Sequence, residues 1–247
     1  MHNYQAPEGL LQDRVILVTG ASDGIGLTMA RLYAKLGATV ILHGRDTAKL
    51  EKIYDEIVSL GYPQPAIIPL NFVNATAEQF QNLAQTIHTE LGRLDGILHN
   101  AGMLSELAPI EFTSPESWHQ IMQVNVNAVF MLSRACLPLL REAPHASIIM
   151  TSSGVGRKGR AFWGPYAASK FAIEGLVQVM ADELEGSNIR VNAINPGATR
   201  TKMRAKAFPG EDRYSVKTPE QIAPLYLYLM GDDSLEVSGQ SLDAQPQ

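Results

Sequence analysis

The sequence predicts an α/β fold, a doubly wound parallel sheet of about seven strands with helices on both faces. Three observations carry this. Short continuous apolar runs recur along the chain, as strands buried on both faces require. Segments with apolar residues at helical spacing lie between them. No stretch rich in Pro, Gly or Ser divides the chain, so residues 1–247 read as a single domain.

The elements follow in order. Arg14–Thr19 is the first strand and ends at Gly20. Ile25, Met29, Leu32, Tyr33 and Leu36 then recur at helical spacing, and Gly37 ends that helix. Thr39–His43 is the second strand. Asp46 caps the next helix, which carries Leu50, Ile53, Ile57 and Leu60. A third strand is expected over Ala66–Leu70, a helix over 75–91 and a fourth strand over Leu94–His99. A long helix from Trp118 to Leu140 leads to a strand at Ser147–Thr151. A helix over Tyr166–Leu184, a strand over Ile189–Ile194, a helix over Pro219–Met230 and a weak strand near Gln240–Asp243 complete the pattern. Residues 199–217 lack clear periodicity. Long excursions after a strand's carboxyl end are where such sheets build binding sites, so this is the expected substrate-side region.

Composition excludes several classes. Lys plus Arg is 20 and Asp plus Glu is 25, a net charge of −5, which argues against a protein that coats nucleic-acid phosphates. The single cysteine, Cys136, permits neither an internal disulfide nor a cysteine zinc cluster. The six histidines show no His-Glu-x-x-His spacing, so no metal is expected. The first residues lack a basic and then apolar leader, and no apolar run approaches the ~20 residues of a membrane helix. A cytoplasmic location without membrane contact is the expectation.

Gly20-Ala21-Ser22-Asp23-Gly24-Ile25-Gly26 joins the first strand to the first helix. Glycines there allow a tight turn, close approach of a diphosphate and close helix–strand packing, while the helix N-terminus offers free N–H groups. A triphosphate-binding P-loop is excluded, because no Gly-Lys-Ser/Thr follows at the required spacing. A dinucleotide site for NAD usually has an acid at the end of the second strand. This chain has Gly44 and then Arg45, and a guanidinium there can fork onto a 2′-phosphate. Asp46 competes for that role but is better explained as a helix cap. The preferred cofactor is therefore NADP(H), with NAD(H) second.

Tyr166 and Lys170 stand four apart on a predicted helix and so face the same way. A free tyrosine ionises near pH ~10, and a nearby ammonium is expected to lower that value. Ser153, thirteen positions before Tyr166, falls at the carboxyl end of the preceding strand.

These residues bring the chain to a family. From Arg14 to about Asp243 it resembles the short-chain dehydrogenase/reductase family, through Thr19–Gly26, His99-Asn100-Ala101-Gly102, Asn125, Ser153, Tyr166, Lys170 and Asn195-Pro196-Gly197. The segments Gly156–Arg160 and Phe208 to Ser234 are most similar to its bacterial YciK-type branch. The resemblance implies a Rossmann-type domain and a role for each matched residue. Tyr166 would donate or accept the proton at the substrate oxygen, and Ser153 would hydrogen-bond that oxygen. Lys170 would lower the Tyr166 pKa and hold the nicotinamide ribose. Asn125 would hold a water in a proton relay. Gly20, Ser22, Asp23, Gly24, Ile25, Gly26, Arg45, Asn71, Asn100, Ala101 and Gly102 would bind the cofactor's adenine half and diphosphate. Pro196, Gly197, Thr199 and Thr201 would frame the nicotinamide. Such enzymes are dimers or tetramers, so a homodimer or homotetramer is expected.

Some positions depart from the family pattern. Asp23 stands where many NADP-dependent members carry a basic residue, leaving Arg45 alone to argue for the phosphate. Asn71 replaces a frequent aspartate, though its amide oxygen can accept the same bond. The tail after Asp243 lacks the common final glycine pair.

The function expected is hydride transfer between nicotinamide and a carbonyl or alcohol substrate. The alternative is a catalytically idle NADP-binding module, and an enoyl-type reductase is disfavoured by Ser153 with the Tyr166–Lys170 spacing. Arg157, Lys158 and Arg160, with Arg200, Lys202, Arg204 and Lys206, reverse the charge locally beside the expected carbonyl pocket. They raise an anionic substrate as an expectation. Pairing of Arg200 or Arg204 with Glu211 or Asp212 is the competing explanation.

Overall fold

The computed structural model describes residues 1–246. Its strands are β1 (Val15–Thr19), β2 (Thr39–Gly44), β3 (Ala66–Pro69), β4 (Gly96–His99), β5 (Ala146–Thr151), β6 (Ile189–Asn195) and β7 (Ser241–Asp243). They form one sheet in the order β3-β2-β1-β4-β5-β6-β7, and every pairing is parallel. The helices are α1 (Gly24–Lys35), α2 (Thr47–Ser59), α3 (Ala77–Leu91), α4 (Pro115–Met122), α5 (Ala128–Glu142), α6 (Gly164–Glu183), α7 (Lys202–Ala207) and α8 (Pro219–Met230).

The continuous apolar runs have a direct physical reason. Successive strand side chains point to opposite faces, and both faces are covered. In β1, Val15 and Leu17 enter the core shared with α3, α5 and α6, while Ile16 and Val18 enter the core shared with α1, α2 and α8. β5 divides likewise, with Ile148 and Met150 on the first side and Ile149 on the second. The chain winds outward from β1 in both directions, which opens a crevice beyond the carboxyl ends of β1 and β4.

Two elements differ from the sequence-based expectation. The helix predicted over Trp118–Leu140 is interrupted by a π-helical turn at Gln123–Asn127, which contains Asn125. A one-residue widening of this kind leaves apolar spacing nearly intact, so periodicity cannot register it. The irregular segment 199–217 contains α7, capped by the Thr201 hydroxyl, which accepts from Arg204 N at 3.1 Å. Six residues are too few for a periodic signal. The segment also closes on itself, because Thr199 and Lys217 form a parallel bridge and Arg200 N donates to Lys217 O at 2.8 Å.

Candidate active site

The crevice is a cleft of about 610 Å³ that runs from the end of β2 to α7. At its centre is the turn between β1 and α1. Gly20 and Gly24 have φ of +67° and +54°, conformations that a side chain disfavours. A Cβ on Gly20 would lie 3.0 Å from Ala101 Cα, and one on Gly26 would lie 2.6 Å from Asn100 Nδ2. Gly26 therefore seats α1 against the sheet and does not line the cleft, whereas Gly20, Ser22, Asp23, Gly24 and Ile25 do. Asp23 caps α1, its Oδ1 accepting from Gly24 N at 2.8 Å. Thr19 Oγ1 accepts from the backbone N–H groups of Asn100 and Ala101 at 2.9 and 3.0 Å, which locks the loop after β4 beside the glycine turn.

The far end of β2 carries the expected guanidinium. Arg45 is exposed and lines the cleft, as does Asn71 beyond β3. Asp46 is occupied by the α2 cap, with Oδ1 accepting from Lys49 N at 3.2 Å and Oδ2 paired with Lys49 Nζ at 2.8 Å. Leu70, Phe72 and Val73 line the same end. They were not singled out from sequence, because β3 and the turn after it carry no motif.

At the other end, β5 delivers Ser153 and the first turns of α6 deliver Tyr166 and Lys170, all lining the cleft. Burial pushes the Tyr166 phenol up to about 12, and its hydrogen bond with Ser153 acts in the opposite direction. Burial pulls the Lys170 ammonium down to about 8, while the Glu174 carboxylate one turn further along α6 acts to raise it. Lys170 Nζ donates to Thr151 O at 2.7 Å and lies 5.5 Å from the centre of the Tyr166 ring. Desolvation is the largest influence on both groups, so the tyrosine lies above its ordinary value and the lysine below its own.

Glu174 is itself buried. It accepts from the Ser152 hydroxyl and lies 3.5 Å from Arg157 Nε. Sequence reasoning missed it, since a glutamate inside a helix ordinarily faces water. Asn125 is buried and does not line the cleft. Its Oδ1 accepts from Met103 N at 2.7 Å, and its Nδ2 donates to Met103 O and to Ser169 Oγ, both at 3.0 Å. It thus ties the loop after β4 to α6 and holds the two walls of the cleft in register.

The loop after β6 brings Pro196, Gly197, Thr199 and Thr201 to the same end. Thr199 Oγ1 donates to Pro196 O at 3.1 Å. Gln245, in the tail, donates from Nε2 to Pro196 O and Ala198 O, both at 2.8 Å. No sequence signal pointed to Gln245, which lies 49 residues after Pro196.

The seven cations beside this region have varied fates. Arg204 is held by both Glu211 oxygens at 2.7 and 2.5 Å, and Lys202 pairs with Asp23 at 2.7 Å. Arg157 pairs with Asp243 at 2.8 Å and donates to Ser241 Oγ. Arg200 donates to Arg213 O and Val216 O. Lys158, Arg160 and Lys206 do not line the cleft. Among the described residues no group of three His, Cys, Asp or Glu side chains is placed to hold a metal, and no helix is long and apolar enough to cross a membrane.

Comparison with known proteins places this geometry among relatives. The family model described as short chain dehydrogenase matches residues 14–212. The chain is 54% identical over 246 residues to the oxidoreductase YciK of Escherichia coli (strain K12), covering 100% of this chain and 97% of that protein. A short chain dehydrogenase from Shigella flexneri 2a str. 301, solved complexed with NADP, matches with a TM-score of 0.95 at 54% identity, covering 97% of this chain and 100% of that one. One from Escherichia coli CFT073, complexed with NADPH, matches at 0.94 and 55% identity with the same coverage.

Proposed function

Because this chain belongs to the short chain dehydrogenase family, we propose that it is an NADP(H)-dependent oxidoreductase acting on a carbonyl or alcohol substrate, with Tyr166 as proton donor and acceptor. The observation that carries the reading is the convergence of Ser153, Tyr166 and Lys170 at one end of a cleft that has a glycine turn at its centre and Arg45 at its other end. In this reading residues 1–247 work as one dinucleotide-binding domain, with 199–217 as its substrate side.

The cleft fits a dinucleotide on its own chemistry. A glycine turn open to backbone approach sits at the N-terminus of a twelve-residue helix. Arg45 is exposed where a 2′-phosphate would fall, and relatives 54% and 55% identical were solved with NADP and NADPH. Gly20, Ser22, Gly24 and Ile25 would hold the diphosphate, Asn71, Asn100, Ala101 and Gly102 the adenine half, and Pro196, Gly197, Thr199 and Thr201 the nicotinamide. When bound, the cofactor supplies or takes up the hydride.

The chain's own residues handle the proton. With its phenol pushed up to about 12, Tyr166 keeps its proton throughout the neutral range and is set to donate to a carbonyl oxygen. Ser153 holds that hydroxyl and offers the same oxygen a second hydrogen bond. The phenolate left behind faces the Lys170 ammonium, whose pKa of about 8 is matched to proton exchange near neutrality. Asn125 acts at one remove, by fixing Met103 and Ser169.

Replacing Tyr166 by phenylalanine tests this. Turnover of ketones with NADPH is expected to fall by roughly 10²-fold or more, with NADPH affinity within about twofold of wild type. Near-normal turnover would assign the proton step elsewhere. A homodimer or homotetramer remains our reading of the assembly, supported by apolar side chains left exposed on α5 (Phe130) and α6 (Phe171 and Val179). A cytoplasmic location is likewise our reading, and it suits a lone buried cysteine.

A further inference from the structure

The walls of the cleft near Tyr166 are apolar. Leu104 follows β4, Trp163 precedes α6, and Met203 and Ala207 come from α7. Trp163 stands between the catalytic end and α7, with its ring centre 5.8 Å from those of both Tyr166 and Phe208. Met203 reaches across the cleft until its methyl group is 3.8 Å from where a Gly102 Cβ would stand.

The charges at this end are already answered from within the chain. Lys202 and Arg204 are the cations of α7 that line the cleft. Lys202 is paired with Asp23, and Arg204 is gripped by both oxygens of Glu211, its guanidinium 3.7 Å from the Phe208 ring centre. Arg157 and Arg200 are turned to β7, Glu174 and loop carbonyls. Lys170 faces Tyr166 and the Thr151 carbonyl. Arg160 lies 5.9 Å from the Phe208 ring centre but does not line the cleft. A carboxylate or phosphate entering here would give up water and meet no unanswered cation among the lining residues, so its desolvation would go uncompensated. An apolar body meets surfaces that gain from being covered.

We propose that this end of the cleft binds an uncharged, predominantly apolar ketone or aldehyde and the corresponding alcohol, held between Trp163 and the Met203–Ala207 face of α7. This rests on the oxidoreductase reading above and adds the substrate class. The two cations of that apparent rim that line the cleft, Lys202 and Arg204, are thereby each paired with a carboxylate, and Glu211 is the residue that keeps Arg204 from selecting anions.

The test compares straight-chain methyl ketones of increasing length with keto acids of matched length bearing a terminal carboxylate, each with NADPH. For the neutral series kcat/KM is expected to rise about fourfold per methylene until the cleft is filled, equivalent to about 0.8 kcal/mol. The matched keto acids should be at least about tenfold poorer, and Glu211→Gln should narrow that gap several-fold by releasing Arg204. Binding is read separately from turnover. Trp118→Phe leaves Trp163 as the sole tryptophan, and the longer neutral ketones should quench its fluorescence in the presence of NADP while keto acids do not. Quenching by neutral ketones without any turnover would sink the oxidoreductase reading and leave the pocket assignment standing. Keto acids that bind or react as well as their neutral partners would overturn the assignment, as would a neutral series that neither quenches nor reacts.

Discussion

Replacing Lys170 by methionine is expected to make the protein more stable at neutral pH while disabling it. The side chain is buried, and burial pulls its pKa from 10.5 to about 8. That displacement corresponds to about 3 kcal/mol by which the folded state disfavours the charged form relative to the unfolded chain. Methionine removes the charge and keeps most of the volume. It also removes the hydrogen bond to Thr151 O, which contributes about 1 kcal/mol. Glu174 loses a neighbouring cation but keeps Ser152 and Arg157. The net gain should be about 1–2 kcal/mol at pH 7. The sign fixes a pH window. Below pH 8 Lys170 is charged in both states, so the destabilisation is complete. Between pH 8 and 10.5 the folded state has released its proton and the unfolded state still binds it, so wild-type stability recovers as pH rises. Urea unfolding of both proteins at pH 7, 8.5 and 10, followed by far-ultraviolet circular dichroism, measures the difference directly. The advantage of Lys170→Met should be largest at pH 7, smaller at pH 8.5 and gone at pH 10, where the lost hydrogen bond offsets what remains of the charge contribution. A variant less stable than wild type at pH 7, or an advantage independent of pH, would refute the reasoning.

Two further outcomes are expected. Arg45→Ala should raise the NADPH dissociation constant by roughly 10- to 100-fold, the loss of about 1.5–3 kcal/mol of charge-assisted contact, and leave NADH nearly unchanged; titration with both cofactors decides it. Gly26→Ala forces a methyl group against the Gly20 carbonyl and the Asn100 amide, so thermal melting should show about 1–3 kcal/mol of destabilisation, and a neutral effect would mean that α1 has room to shift.

Much of the fold was legible in the sequence because its signals are local. An apolar run such as Val15–Val18 has one stable solution, a strand covered on both faces, and repeated alternation with helices leaves few topologies. The glycine turn and the Tyr166–Lys170 pair were legible for the same reason, since a tight turn and a single helix face are set by neighbours in the chain. What local spacing does not carry is which distant residues meet. The grip of Gln245 on the loop after β6, the tie from Asn125 to Met103 and Ser169, and the burial of Glu174 against Ser152 and Arg157 join different segments of the chain. Charge shows the difference most clearly. Residue types alone place seven cations near the active site, and only the folded chain decides that Glu211, Asp23 and Asp243 answer Arg204, Lys202 and Arg157. Burial is decided at the same level. A tyrosine four residues from a lysine is expected to lose its proton more readily, yet enclosing both desolvates both, and that solvation free energy is set by the whole surrounding volume, which spacing in the sequence does not carry.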